Sequence, residues 1–185
     1  MKSKLRFNVI SLILASSLLF SACQTWIPKA QGLVTQQWGE RSFQRQDQME
    51  VHWRQQGFSF LMYQEQKGQT LEMLALSLTG QQLFKLNFDG QKVKVEQRIE
   101  QLRFLPFDYV VRDILYATYP NFISLHVGKT TVLQKEGIIY IQQQPVLKID
   151  HQEGVIELEN LQVPYEMVIS TVSNTLEADS GGNDD

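Results

Sequence analysis

Apolar and polar residues alternate along much of the chain between Phe43 and Gln97. In Glu50-Val51-His52-Trp53-Arg54, Phe84-Lys85-Leu86-Asn87-Phe88 and Lys92-Val93-Lys94-Val95-Glu96 every second residue is apolar, the pattern of a strand with one buried face. Gln56-Gly57, Lys67-Gly68, Thr79-Gly80 and Asp89-Gly90 punctuate these runs. Asp-Gly between two alternating segments is a strong hairpin signal. The pattern predicts an antiparallel meander.

Two segments depart from strict alternation. Phe58-Ser59-Phe60-Leu61-Met62-Tyr63 and Leu71-Glu72-Met73-Leu74-Ala75-Leu76-Ser77-Leu78 carry large apolar groups on both faces of adjacent strands, so something must cover the second face. Two explanations stand side by side. A helix could pack inside a curved sheet, or an apolar cavity could hold a hydrophobic ligand.

A covering helix is available in the stretch from Leu105 to Thr118. Phe107, Val110, Val111, Ile114 and Leu115 fall on one stripe at spacings of three, four, seven and eight, Pro106 suits a first helical position, and Tyr119-Pro120 ends the run. Asp108 and Arg112 stand four apart and read as an exposed supporting pair. The chain then returns to strands at Ile123–Val127, Thr131–Gln134, Ile138–Gln142, Val146–Ile149 and Val155–Leu161, separated by Gly128, Gly137, Pro145 and Gly154. Tyr165–Val172 reads as a further strand or a closing helix. The order strands, helix, strands predicts a mainly β protein with α (α+β), its curved antiparallel sheet wrapped around a helix as an unclosed half-barrel.

The ends of the chain have a different character. Lys2, Lys4 and Arg6 precede an apolar run from Val9 to Phe20, followed by Ser21-Ala22-Cys23. That run of about a dozen residues is shorter than the roughly 20 a spanning helix needs and reads as an export signal. Leu18-Leu19-Phe20-Ser21-Ala22-Cys23 resembles a bacterial lipobox, which implies lipidation at Cys23, the sole cysteine. Acyl chains there would anchor the protein stably, and Gln24 after the cysteine resembles the sorting signal for the outer membrane, with the domain facing the periplasm and inner-membrane retention the alternative. The expected organisation is a signal peptide over 1–22, lipidated Cys23 and a tether over 23–37, a single β-rich domain over 38–173 and a disordered acidic tail over 174–185.

Charge narrows the choice of partners. Of 17 basic residues, three lie in the leader, leaving 14 against 20 acids and a net charge near −6. That balance argues against nucleic acid and anionic headgroups as partners. Gly128-Lys129-Thr130 imitates the end of a phosphate loop, but the upstream glycine is replaced by Ile123 and the flanks read as strands. His52, His126 and His151 are far apart, no Gly-x-Ser-x-Gly elbow is present, and a lipidated Cys23 is no nucleophile. No catalytic residue, metal site or cofactor is therefore expected, and the protein is read as not an enzyme.

Trp53, the Phe60-Leu61-Met62-Tyr63 and Leu74–Leu78 strands, Thr79-Gly80 and Leu83-Phe84-Lys85-Leu86 together resemble the first half of the fold of the lipoprotein localisation factors LolA and LolB. Leu105-Pro106-Phe107, Asp113-Ile114-Leu115 and Tyr119-Pro120 resemble an uncharacterised bacterial lipoprotein family, domain of unknown function 3261, with Tyr119 where that family has Trp. The resemblance implies an unclosed barrel whose apolar concavity accepts acyl chains or another lipid-like group. It carries over no individual contact residue, and the exposed Leu loop with which LolB inserts lipoproteins has no clear counterpart, Leu78-Thr79-Gly80 standing in the corresponding turn. Strand parity nominates Phe60, Met62, Leu74, Leu76, Phe84 and Leu86 as cargo-binding residues. The expected function is that of an outer-membrane lipoprotein that binds or transfers a lipid, a lipoprotein acyl chain or a lipid-linked polyene, with the lipoprotein processing and sorting machinery as its other partners. The alternative is an envelope assembly module without a cavity, acting through protein contacts.

Overall fold

The first and last strands of the domain lie side by side, and the sheet grows outward from them in both directions. The structure is a computed structural model that describes residues 30–126 and 131–172. Its strands are β1 (Gln44–Trp53), β2 (Gln56–Lys67), β3 (Thr70–Ser77), β4 (Gln82–Phe88), β5 (Val93–Arg98), β6 (Val132–Lys135), β7 (Ile138–Ile141), β8 (Gln144–Gln152), β9 (Val155–Asn160) and β10 (Tyr165–Thr171), with one α-helix among the described residues, α1 (Phe107–Thr118). They form a single ten-stranded sheet in the order β5-β4-β3-β2-β1-β10-β9-β8-β7-β6. Every pairing is antiparallel. The sheet is not closed into a barrel, since β5 and β6 remain as edges.

Curvature follows from what α1 touches. The helix contacts both β5 and β9, which stand six strand positions apart, or about 29 Å across a flat sheet. A helix with its side chains is only about 10–12 Å wide. Both contacts require the sheet to curl around α1. Inside the curl lies one apolar core, drawing Met49, Val51 and Trp53 from β1, Leu71 and Met73 from β3, Ile149 from β8, and Met167 and Ile169 from β10.

Several local expectations shift. The β1–β2 turn falls at Arg54-Gln55, with Arg54 at φ 58°, two residues before the expected Gln56-Gly57, which lie within β2. Ile123 belongs to a 3-10 turn over Phe122–Leu125 that buries Phe122 and Leu125, so the strand expected there is absent from residues 122–126. Pro145 sits inside β8 beside a break in register, where its missing N–H is tolerated, and does not separate strands. The final run is a strand. It is β10, at the centre of the sheet.

The tether expected over 23–37 is docked from residue 30 onward. Ala30, Leu33 and Thr35 are buried, and the backbone N–H of Thr35 donates to the carbonyl of Gly90. Gly32 has φ +74° and passes so close to the core that a Cβ would lie 2.2 Å from Ile141 Cδ1. Residues 30–38 thus form a strap belonging to the domain. The leader, Cys23, residues 24–29, Gly128-Lys129-Thr130 and the acidic tail over 174–185 lie outside the described residues.

Candidate functional site

The six cargo-binding candidates divide between the two faces of the sheet. Phe60 and Met62 on β2, and Phe84 and Leu86 on β4, point inward and are at most 2% exposed. Leu74 and Leu76 do not join them. In the β2–β3 register Met62 faces Ala75 and Phe60 faces Ser77, while Tyr63 faces Leu74 and Leu61 faces Leu76. Inward-facing residues of β3 are therefore Leu71, Met73 and Ala75, and Leu74 and Leu76 half-bury themselves with Leu61 and Tyr63 on the outer face. An eight-residue strand apolar on both faces offers no parity of its own, so only the pairing decides which set faces inward.

All five stripe residues of α1 are buried against that inner face, Val110, Val111, Ile114 and Leu115 at 0%. Phe107 meets Phe84 edge-on with ring centroids 5.1 Å apart, and Phe84 meets Phe60 at 5.5 Å. The candidate face is filled by its own helix.

The opposite flank of α1 differs from the sequence expectation. Arg112, expected at the surface, is fully buried, and its Nε donates to Asp113 Oδ1 at 2.7 Å. Arg112 Nη1 donates to the carbonyl of Gln31 at 3.1 Å and to Gln162 Oε1 at 2.8 Å. Asp113 also accepts from Asn160 Nδ2 at 2.6 Å and from the Tyr165 hydroxyl. Burial raises the Asp113 carboxyl above its ordinary range against the pull of Arg112. Burial, and then the facing Asp113, push the Tyr165 phenol well above its ordinary value, which keeps it a donor. Helix, strap and the β9–β10 connection meet at this pair of side chains. Arg112 and Asp113 are charged, and charged residues in a helix ordinarily face solvent, which is why the apolar periodicity passed over them.

Two further side chains tie the strap to the helix side. The Tyr116 hydroxyl donates to the carbonyl of Gly32 at 3.0 Å, and His126 Nε2 lies 2.8 Å from the same oxygen. Farther along, Trp38 stacks on Tyr119 at 5.1 Å and meets Phe88 edge-on at 4.9 Å. Tyr119 donates its hydroxyl to Gln66 Oε1 and is tilted against Phe43 at 4.8 Å. These aromatics close one end of the curl.

Outside the core, Leu78 in the β3–β4 connection is 61% exposed, more than any other large apolar residue described. His52 and His151 are exposed on the sheet, while His126 is half-buried beside the strap. Among the described residues no group of three or more His, Cys, Asp or Glu could hold a metal ion, and no helix is long and apolar enough to cross a membrane.

No curated protein matches the chain. A family model described as "Protein of unknown function (DUF3261)" matches residues 44–173, a span that runs from the start of β1 past the end of β10. The chain belongs to this family of proteins of unknown function.

Proposed function

We propose that the protein is a lipid-anchored, non-enzymatic binding protein of the outer membrane, whose LolB-like half-barrel holds or hands on a hydrophobic cargo: a lipid, a lipoprotein acyl chain or a lipid-linked polyene. The observation that carries this reading is the construction of the core. A ten-stranded open sheet presents an apolar inner face, and among the described residues its cover is made of short pieces: the 12-residue α1, the 3-10 turns that bury Leu102, Phe122 and Leu125, and an irregular strap. On this reading α1 is the lining that an acyl chain would replace. An acyl chain that took its place against Phe60, Met62, Phe84 and Leu86 would gain about 25 cal/mol for each Å² of apolar surface removed from water. Lipidation at Cys23 would hold the domain close to the bilayer, because the chain from Cys23 to the docked Ala30 can span only about 25 Å. Leu78, 61% exposed in the β3–β4 connection, would then be an apolar side chain free to meet the bilayer.

A second reading has its own support. The Phe60–Phe84–Phe107 contacts fill the inner face, which favours an assembly module acting through protein contacts. The two readings separate when residues 24–185 are produced without leader or lipid and examined by native mass spectrometry, lipid extraction and competition with a fluorescent acyl probe. Stoichiometric apolar cargo that the probe displaces is the expected result; a domain that is empty and insensitive to the probe contradicts the carrier and leaves the assembly module.

A further inference from the structure

We infer that Gln64 is the point at which the inner face recognises the head of a neutral acyl ligand, one that offers a hydrogen-bond donor and an acceptor together, as a carboxamide or an alcohol does. The inference rests on the cargo reading above and specifies the chemistry of that cargo.

The inner face is graded along the strands. On β1 and β2 its polar residues, Arg45, Asp47, Gln64 and Gln66, gather at one end, whereas Met49, Val51, Trp53, Phe60 and Met62 occupy the rest. Most of the polar end is already satisfied. Arg45 grips Asp47 through Nε at 2.6 Å and Nη2 at 2.8 Å, and Arg45 Nη2 also reaches Thr171 Oγ1 at 3.2 Å. Gln66 Nε2 donates to the carbonyls of Gly39 at 2.7 Å and Gly68 at 3.1 Å, and its Oε1 accepts from Tyr119. Gln64 is different. It is 1% exposed, and neither its Nε2 nor its Oε1 has a partner among the described residues.

A buried amide with both ends unmet has lost its water and received nothing in return. Leucine at this position would match Met73, its neighbour across the β2–β3 pair, without that loss. A glutamine is accounted for by a partner that arrives with the ligand and brings one acceptor for Nε2 and one donor for Oε1. The surroundings set the charge of that partner. Arg45 and Asp47 neutralise each other beside Gln64, so the polar end offers no net charge to a carboxylate or phosphate. The next row inward holds Met62, Ala75 and Phe84 in direct register, which gives an acyl tail an apolar track leading away from the head.

The test uses the chain from residue 23 with Cys23→Ser, so that no acyl group of its own competes, and measures displacement of a fluorescent acyl probe by oleamide, oleyl alcohol, oleate and methyl oleate. Oleamide or oleyl alcohol should displace the probe at about tenfold lower concentration than methyl oleate or oleate, as one extra satisfied hydrogen-bond pair gives, and their order identifies the head. Gln64→Leu should keep binding the probe and methyl oleate, lose the tenfold preference, and melt at a higher temperature than the parent. The same ranking in parent and variant overturns the inference while leaving the cargo reading intact, as does tightest binding of oleate. A lower melting temperature for Gln64→Leu also overturns it, because the amide would then be satisfied by fixed water. No displacement by any ligand, with no probe bound, defeats both readings together.

Discussion

The two flanks of α1 are held to the sheet by opposite means. Toward β2–β4 the contact is Phe107 on Phe84 on Phe60, rings that need only be excluded from water. Toward β9 and β10 it is a buried Arg112–Asp113 pair whose hydrogen bonds run to Gln31, Gln162, Asn160 and Tyr165. Apolar packing tolerates exchange of one hydrocarbon for another, whereas a buried ion pair demands particular atoms in particular places. The difference assigns separate tasks to the two flanks. On the proposed cargo reading the ring flank is where an acyl chain would replace helix, while the ionic flank keeps helix, strap and the β9–β10 connection registered.

Removing one member of the ionic flank should have the largest effect. Asp113→Ala leaves Arg112 buried without its countercharge and should cost about 3–5 kcal/mol of unfolding free energy in urea. Replacing both as Arg112→Met with Asp113→Leu should recover most of that loss, because no charge is then stranded. If the double variant is as unstable as Asp113→Ala, the flank owes its stability to the pair itself and not to avoiding an unpaired charge. Phe84→Ala, on the ring flank, should also cost about 3–5 kcal/mol through the cavity it leaves. Addition of an acyl ligand should restore part of that loss, and no such rescue is expected for Asp113→Ala.

Alkali sharpens the comparison with a smaller effect. Burial holds the Tyr116 and Tyr165 phenols above their ordinary value of 10.0, so the folded protein keeps protons that the unfolded chain releases above that pH. Their stabilisation is complete below pH 10 and is lost as the pH rises toward the folded values, by about 1.4 kcal/mol per pH unit for each phenol. Tyr165→Phe should therefore lower the slope of stability against pH, measured between pH 10 and 11, by about one such increment. An unchanged slope would show that Tyr165 does not hold its proton in the folded state.

The ring flank was legible in the sequence and the ionic flank was not. Phe107, Val110, Val111, Ile114 and Leu115 announce a buried stripe by spacing alone, and the alternating runs around Val51 and Phe84 announce the meander. Arg112 and Asp113 are charged residues within a helix, which composition assigns to solvent, and their partners Asn160 and Tyr165 are 47 and 52 residues away. The same blindness to long-range pairing misplaced Leu74 and Leu76, whose face is set by register with β2. Both strands of the β7–β8 hairpin were legible but its turn was placed at Pro145, for a local reason: the turn uses Gln142 and Gln143 at φ 51° and 68°, positions where Asn-Gly would have signalled it. The strap was hidden by its glycine and irregular backbone, which read as a tether until Ile141, Tyr116 and Gly90 are seen against it.

Hydrogen exchange tests most directly the proposal that an acyl ligand displaces α1 from the inner face. The backbone amides of residues 107–118 would be followed by mass spectrometry in the chain from residue 23 with Cys23→Ser, with and without saturating acyl ligand, using the β1–β10 pair as the internal reference. Ligand should speed exchange in α1 while β1 and β10 stay protected. Unchanged exchange in α1 with ligand demonstrably bound would contradict the account, because the ligand would then occupy some surface other than the inner face.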